Sequence, residues 1–437
     1  MNAIKKLALF GGSPSQSKPF LFNNSIGNEE KRAVMQVLES GELSGFVASP
    51  GEQFYGGKKV RALQEEMAAF FGVKDAVAFN SATSGLHAAV YASGVAPGDE
   101  VITSPYTMSA TSTAILMCGA TPIFADIEDI TFGLDPVSVE SLITPQTRAI
   151  LVVNIFGHAA RLTELKEIAD RHGLYLIEDN SQAPGAYHDT RYTGTVGHMG
   201  VFSFNRHKVM QSGEGGVVLT NDGALAERMS LFRNHGEVIA ESLGVRDIAN
   251  TAGLNLRMTE MEAAVALEQF KKLPTLNKQR QELAESLDQS IKDIPFLEAP
   301  TVRETNGHVY YMYALKFDAE IAGFSRDAFV AAMLAEGCFV RGGYLRPTYL
   351  ETIYQKKICF GADGFPFTAN KRHKEISYHK GICPVCEDLD ENKIVITAIM
   401  QPPQTFEDMR LFGIACEKMT HNSRLLREYG LKQVARS

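Results

Sequence analysis

The chain has 437 residues, 45% of them hydrophobic and 22% charged, with a formal net charge of -8. That length is too great for one ordinary core and predicts two domains of a soluble globular enzyme. The acidic balance argues against a nucleic-acid partner or an anionic membrane surface, either of which would want a basic patch. No run approaches the roughly 18 apolar residues of a membrane helix. The N-terminus opens like a secretory signal, but its apolar run ends after about four residues, too short for one. Six cysteines, at 118, 338, 359, 383, 386 and 416, form no disulfide framework and fit a reducing cytoplasm. Cys383 and Cys386 have the spacing of half a zinc site, but no second Cys/His pair lies nearby, so no metal is expected.

In chain order, short β-rich runs alternate with helical patterns from about residue 60 to residue 235. The predicted strands are Ala76–Phe79, Glu100–Thr103, Pro122–Ile127, Ala149–Ile155, Leu174–Ile177, Gly200–Phe204 and Gly216–Thr220. Amphipathic segments lie between most of them. Ser84–Ala92 carries Leu86 and Val90 four residues apart, and Ala160–His172 carries Leu162, Leu165 and Ile168. This alternation predicts an α/β fold with a seven-stranded, mainly parallel sheet covered on both faces. The last two runs are joined by a glycine loop and not by a helix.

From Met258 the pattern changes to two long predicted helices, Met258–Leu273 and Leu276–Ile291, punctuated by Pro274. After Pro300 a second α/β pattern appears. It comprises a strand over Val309–Phe317, a helix over Ser325–Glu336 with Ser325 as cap, and a short strand over Cys338–Arg341. Asp388–Met400 follows, and then Thr405–Met419, which has acids in its first turn. The expected organisation is an N-terminal segment (1–24), a large domain (25–275) and a smaller C-terminal α/β domain (276–437).

Three segments carry chemistry. In the first, a strand ends at Phe204, and Lys208 follows before Gly213-Glu214-Gly215-Gly216. Such dense glycines permit a tight turn. A lysine held there between buried strands has a lowered pKa and can attack a carbonyl to form a Schiff base. Read alone, the segment equally describes a surface-loop lysine. In the second, the apolar run from Leu174 leads straight into Glu178-Asp179. In parallel sheets, ligands gather at strand carboxyl ends. A carboxylate there suits a positive ring nitrogen, though a helix-capping Asp looks the same. In the third, Phe79-Asn80-Ser81-Ala82-Thr83-Ser84 leads from a strand into a helix, whose free N–H groups would suit a phosphate. Many strand–helix junctions share this look. The joint occurrence of amine, carboxylate and cradle at strand ends is harder to ascribe to chance.

With these segments in view, the sequence resembles the DegT/DnrJ/EryC1/StrS sugar aminotransferases from about Gly11 to Met419. The most specific stretch is Ser203-Phe204, Lys208 and Gly213-Glu214-Gly215-Gly216, matching S-F-x-x-x-K-x-x-x-x-G-E-G-G. Glu178-Asp179 with Gln182-Ala183, Asn80-Ser81 with Thr83-Ser84, and Gly253 to Met258 also match. The resemblance implies a fold-type-I transferase, similar to aspartate aminotransferase, that uses pyridoxal 5'-phosphate (PLP). Lys208 is then the Schiff-base lysine and proton shuttle, and Asp179 the partner of the pyridine nitrogen. Ala82, Thr83 and Ser203 would serve the phosphate, with Gln182 close to the ring. Asn255 would reach the phosphate in a neighbouring subunit, which implies a homodimer with composite sites.

The implied reaction is ping-pong transfer of an amino group from glutamate or glutamine to a keto-sugar, nucleotide-linked as commonly in the family. A keto-cyclitol (inosose) is the alternative acceptor, and dehydratase or lyase chemistry is the alternative reaction. The family's sugar dehydratases carry His where this chain has Lys208; His207 lies only beside it. A cofactor-binding regulator would carry an extra DNA-binding segment, and none is visible. Three departures touch the substrate side. Met108 stands where the family commonly stacks an aromatic on the cofactor, and its polarizable sulfur can cover a ring. Pro184 replaces a frequent His. The segment Gly343 to Tyr349 lacks both histidines of the family's H-Y-x-P-x-H pattern.

Overall fold

All seven predicted runs of the first half pair into one sheet in the computed structural model, which describes residues 6–22, 24–245 and 252–434. After helices α1 (Asn28–Ser40) and α2 (Lys58–Phe71) come β1 (Asp75–Phe79), α3 (Ala82–Ala92), β2 (Glu100–Thr103), α4 (Ala110–Met117) and β3 (Thr121–Phe124). Next are α5 (Pro136–Ser141), β4 (Thr147–Val153), α6 (Leu162–His172) and β5 (Tyr175–Asp179). A two-stranded hairpin, β6 (Tyr187–His188) and β7 (Arg191–Tyr192), precedes β8 (Met199–Ser203), β9 (Gly216–Thr220) and α7 (Gly223–Arg233).

The strand order is β1-β9-β8-β5-β4-β2-β3. The run from β3 to β8 is parallel, whereas β9 is antiparallel to both β8 and β1. The physical reason is the connection. A helix lets the chain cross back and re-enter in parallel, whereas a glycine loop turns it directly into an antiparallel neighbour. That loop carries Lys208. Leu86, Val90 and Ile115 cover one face of the sheet, and Leu63, Met67 and Phe270 cover the other. The parallel strands are nearly continuous apolar runs because neither face meets water.

The two helices predicted on either side of Pro274 are a single helix, α8 (Glu260–Ile291). An interior proline removes one backbone bond and crowds the preceding turn, at a cost of about 3 kcal/mol. Here α8 packs along α1, α2 and the helix Phe406–Thr420, and it buries Phe270, Leu273, Leu276 and Leu283 around the proline. At roughly 1.5–3 kcal/mol per buried large apolar side chain, that packing outweighs the break. The proposed boundary at 275/276 falls inside this helix.

A second sheet, ordered β10-β11-β13-β12, follows α8. Its strands are β10 (Leu297–Glu298), β11 (Tyr313–Phe317), β12 (Arg341–Gly342) and β13 (Ile394–Thr397), and neighbours are antiparallel. The predicted strand Val309–Phe317 is shorter, beginning only at Tyr313. Residues 309–312 dock instead on the loop after β4, where Val309 N–H donates to the Gly157 carbonyl and Met312 N–H to that of Phe156. Cys383 and Cys386 are both buried, and burial pushes their thiols up. Among the described residues, no helix is long and apolar enough to cross a membrane.

Candidate active site

Strand alternation separates the two acids at the end of β5. Glu178 is fully buried and accepts backbone N–H bonds from Gly194, Val196 and Gly197 and an amide bond from Asn154. Burial still holds its carboxyl above the usual range. Glu178 therefore organises the loop leading to β8. Asp179 points the other way, into a cleft at the carboxyl ends of the strands. Its Oδ2 accepts from the Thr111 hydroxyl at 2.9 Å and its Oδ1 from Ser181 N–H at 3.2 Å. Thr107 Oγ1 lies 3.2 Å from that of Thr111, extending the chain of hydroxyls.

Lys208 enters the same cleft from the loop between β8 and β9. The loop is pinned at its base, where Ser212 N–H donates to the Phe204 carbonyl and Phe204 N–H to that of Gly215. Gly213 and Gly215 have φ values of +87° and +136°, which side chains rarely adopt. Desolvation lowers the Lys208 ammonium to about 8, opposed by the negative charge of Asp179. The amine lies over the face of Tyr311, 4.7 Å from the ring centroid.

Opposite the lysine, α3 opens with Ser81 as its cap, whose hydroxyl accepts from Ser84 N–H at 3.1 Å. Ala82 and Thr83 therefore lead the helix, where backbone N–H groups have no intrahelical acceptor. Ser203, Asn205 and Glu214 complete this end of the cleft, which encloses about 230 Å³. Gln182 is fixed between two partners: its Oε1 accepts from Phe156 N–H at 2.8 Å and its Nε2 donates to the Tyr344 hydroxyl at 3.2 Å. Met108 also lines the cleft and is 56% exposed, free to cover a ligand.

Of the sequence-predicted residues, Asp179, Lys208, Ala82, Thr83, Ser203, Gln182 and Met108 thus share one cleft. Asn255 does not line it. It is exposed, pairs with Asn234 in a bridge and accepts from Arg257 Nε at 2.8 Å. The residues that sequence reading missed are Thr111, Tyr311 and Tyr344. Thr111 had a weak local signal, lying four residues beyond Thr107 in the first turn of a helix. Tyr344 stood in the segment compared with the family's H-Y-x-P-x-H pattern but was given no role, and Tyr311, more than a hundred residues from Lys208, had no signal.

A family model for the DegT/DnrJ/EryC1/StrS aminotransferases matches residues 24–398. The chain belongs to this family. The chain is 34% identical to spore coat polysaccharide biosynthesis protein SpsC of Bacillus subtilis (strain 168), over 80% of this chain and 89% of that one. It is 35% identical to L-glutamine:2-deoxy-scyllo-inosose aminotransferase of Streptomyces kanamyceticus, over 76% of this chain and 78% of that one. The crystal structure of DesI in the presence of its TDP-sugar product superposes with a TM-score of 0.78 at 25% identity, covering 99% of this chain and all of that one. The protein is a PLP-dependent sugar aminotransferase.

The cleft of this aminotransferase suits that cofactor by its donor set. It offers an amine for a carbonyl, a carboxylate for a cationic ring nitrogen, and a helix start with hydroxyls for a phosphate. The cradle is also close-built. A Cβ at Gly216 would stand 2.6 Å from Ala82 N and 2.7 Å from the Ser81 carbonyl carbon, both backbone atoms. Gly216→Ala must therefore push the start of α3 away from β9. At about 1–3 kcal/mol for such overpacking, PLP affinity is expected to fall by about 10- to 100-fold. Equilibrium dialysis of PLP against folded variant and wild type checks this; equal affinities would refute the cradle.

Proposed function

We propose that this aminotransferase moves an amino group from glutamate or glutamine to the carbonyl of a keto-sugar, most naturally one linked to a nucleotide. The observation that carries the reading is the meeting of the Lys208 amine and the Asp179 carboxylate in one cleft beside the start of α3. Similarity to DesI, solved with a TDP-sugar product, supports the nucleotide-linked acceptor. Similarity to an L-glutamine:inosose aminotransferase supports a second reading, in which the acceptor is a keto-cyclitol and the donor glutamine.

Bound in the cleft, PLP supplies an electron sink for the pair left when a proton departs from the carbon bearing the amino group. Lys208 would hold the cofactor through its amine, the group that can meet a carbonyl. As a free amine, Nζ would take the donor's α-proton, and in the return half-reaction it would deliver a proton to the acceptor's former carbonyl carbon. A depressed amine pKa suits this work, because a fully protonated lysine cannot accept a proton. Asp179, whose Oδ1 and Oδ2 are steadied by Ser181 and Thr111, would keep the ring nitrogen protonated. Ala82, Thr83 and Ser203 would bind the phosphate, Gln182 would border the ring, and Met108 would cover it. Donor and acceptor use the same amine in turn, so the kinetics are ping-pong.

The test is a panel of nucleotide-linked keto-sugars and inososes, each offered with ¹⁵N-labelled glutamate or glutamine. Label in an aminated nucleotide sugar supports the first reading. Label only in an aminocyclitol supports the second, and label in neither overturns both. Asn255, exposed and outside its own cleft, suits a role at the phosphate of a second copy, which makes the working enzyme a homodimer. A sedimenting mass of one chain in the active holoenzyme would overturn that assembly. The six free cysteines, four of them buried, suit a cytoplasmic enzyme, and a fluorescent fusion in the source cell tests that placement.

A further inference from the structure

We propose that Tyr311 is a positioning residue for transamination, using the face of its ring to hold the free Lys208 amine in place and stabilise its protonated form. The inference rests on the reading of Lys208 above. Its basis is geometric: Nζ lies 4.7 Å from the centroid of the Tyr311 ring, within the range at which a cation is drawn to an aromatic face. A buried core aromatic would be the commoner reading of a side chain only 5% exposed. Two observations set Tyr311 apart from one. It lines the cleft alongside Asp179 and Lys208, and it is presented there by a backbone with little freedom.

That backbone turns at Tyr310, whose φ of +47° lies in the left-handed region. The turn is clamped to the loop after β4 by the bonds from Val309 and Met312. Gly157, at φ +98°, makes room, since a Cβ there would meet Tyr311 N at 2.9 Å. Behind the turn, the buried Arg280 of α8 donates to the Tyr310 carbonyl at 3.1 Å and to Gln401 Oε1 at 3.1 Å. The ring is therefore aimed by three separate parts of the fold, so its place over Nζ is set before any ligand arrives.

The need for such a contact follows from the cycle. Lys208 alternates between covalent attachment and a free amine that gains and loses a proton. A free lysine chain has four rotatable bonds and swings away unless something holds it. Asp179 attracts the amine electrostatically, but in the proposed function that carboxylate belongs to the ring nitrogen. The Tyr311 face offers the cation a second, uncharged partner. Of the charged and titratable groups nearby, Asp179 on β5 acts on the amine, His207, Glu214 and Tyr344 share its cleft, and Arg206 and Glu214 act on His207. Tyr344 and Arg280 act on the Tyr311 hydroxyl, in opposite directions. None of these is altered by a substitution confined to the Tyr311 ring.

The experiment compares Tyr311→Phe, Tyr311→Leu and Tyr311→pentafluorophenylalanine in the full-length protein. The fluorinated ring keeps the shape but reverses the charge of the face, so it remains informative if the leucine variant does not fold. Trace acetylation of the cofactor-free chain, followed at Lys208 by mass spectrometry across pH, reads the amine's titration midpoint. The wild type is expected near pH 8. Phenylalanine should leave the midpoint unchanged, whereas the fluorinated ring and leucine should lower it by about one unit, because the protonated form loses its partner. A midpoint unmoved by the fluorinated ring overturns the proposal. Failure of the Lys208 reading is seen separately, as a Lys208→Ala protein that retains the cofactor's visible absorbance after dialysis.

Discussion

Lys208→Ala is expected to lower kcat/KM for amino transfer by about 10⁴-fold, the upper range for loss of a positioned acid–base group. In the proposed function that group would also hold the cofactor covalently, so the protein should lose its visible absorbance on dialysis while remaining folded by circular dichroism. Among the described residues, the cleft has no substitute amine. Arg206 and His207 precede Lys208 on the same loop, yet the described cleft lining contains no second lysine. A small exogenous amine should restore part of the rate, because the space vacated by the side chain opens directly onto Asp179 and Tyr311. Retention of more than about a tenth of the wild-type rate, far outside the loss expected for such a group, would assign the chemistry to another residue.

The second large effect belongs to Asp179→Asn. Asparagine keeps the shape, and its carbonyl oxygen can still accept the 2.9 Å bond from Thr111, so packing is conserved. The charge is what is lost. A neutral amide cannot hold a proton on the ring nitrogen, and a preorganised charge of this kind is worth about 10²- to 10³-fold in kcat. The pH dependence has a definite sign. Burial lowers the Lys208 amine to about 8 while Asp179 pulls it upward, so removing the carboxylate moves the midpoint further down. The trace-acetylation titration reads that shift without relying on turnover. An Asn variant with wild-type kcat and an unchanged midpoint would show that the carboxylate acts on neither group.

These two residues were legible early because their signals are local. Each lies within a few residues of a strand end, and strands announce themselves by short apolar runs with turn residues after them. The strand-to-helix junction at 79–84 was readable for the same reason, though the structure starts the helix earlier, at Ala82, with Ser81 as its cap. The spacing from Ser203 to Gly216 was legible as a loop, and the antiparallel turn into β9 follows from its lack of a helix. The reading failed where a local rule met a larger tertiary force. Pro274 punctuates the sequence but not the helix, because α8 is packed on several sides. Residues 309–312 look like strand, yet their backbone bonds are taken by the loop at Phe156 and Gly157.

By itself, then, the order of residues determined the class of fold, the strand ends, and the Lys208 amine, Asp179 carboxylate and helix start that share one cleft there. Each depends on interactions between neighbours in the chain, whose energies are written in composition and period. Only the tertiary structure decided that Thr111 steadies Asp179, that Tyr344 is tied to Gln182, and that Tyr311 turns its face to Lys208. These contacts join residues 68 to 162 positions apart. They exist only once the sheet, α8 and the loop after β4 have packed, and no local pattern encodes where a distant ring will point.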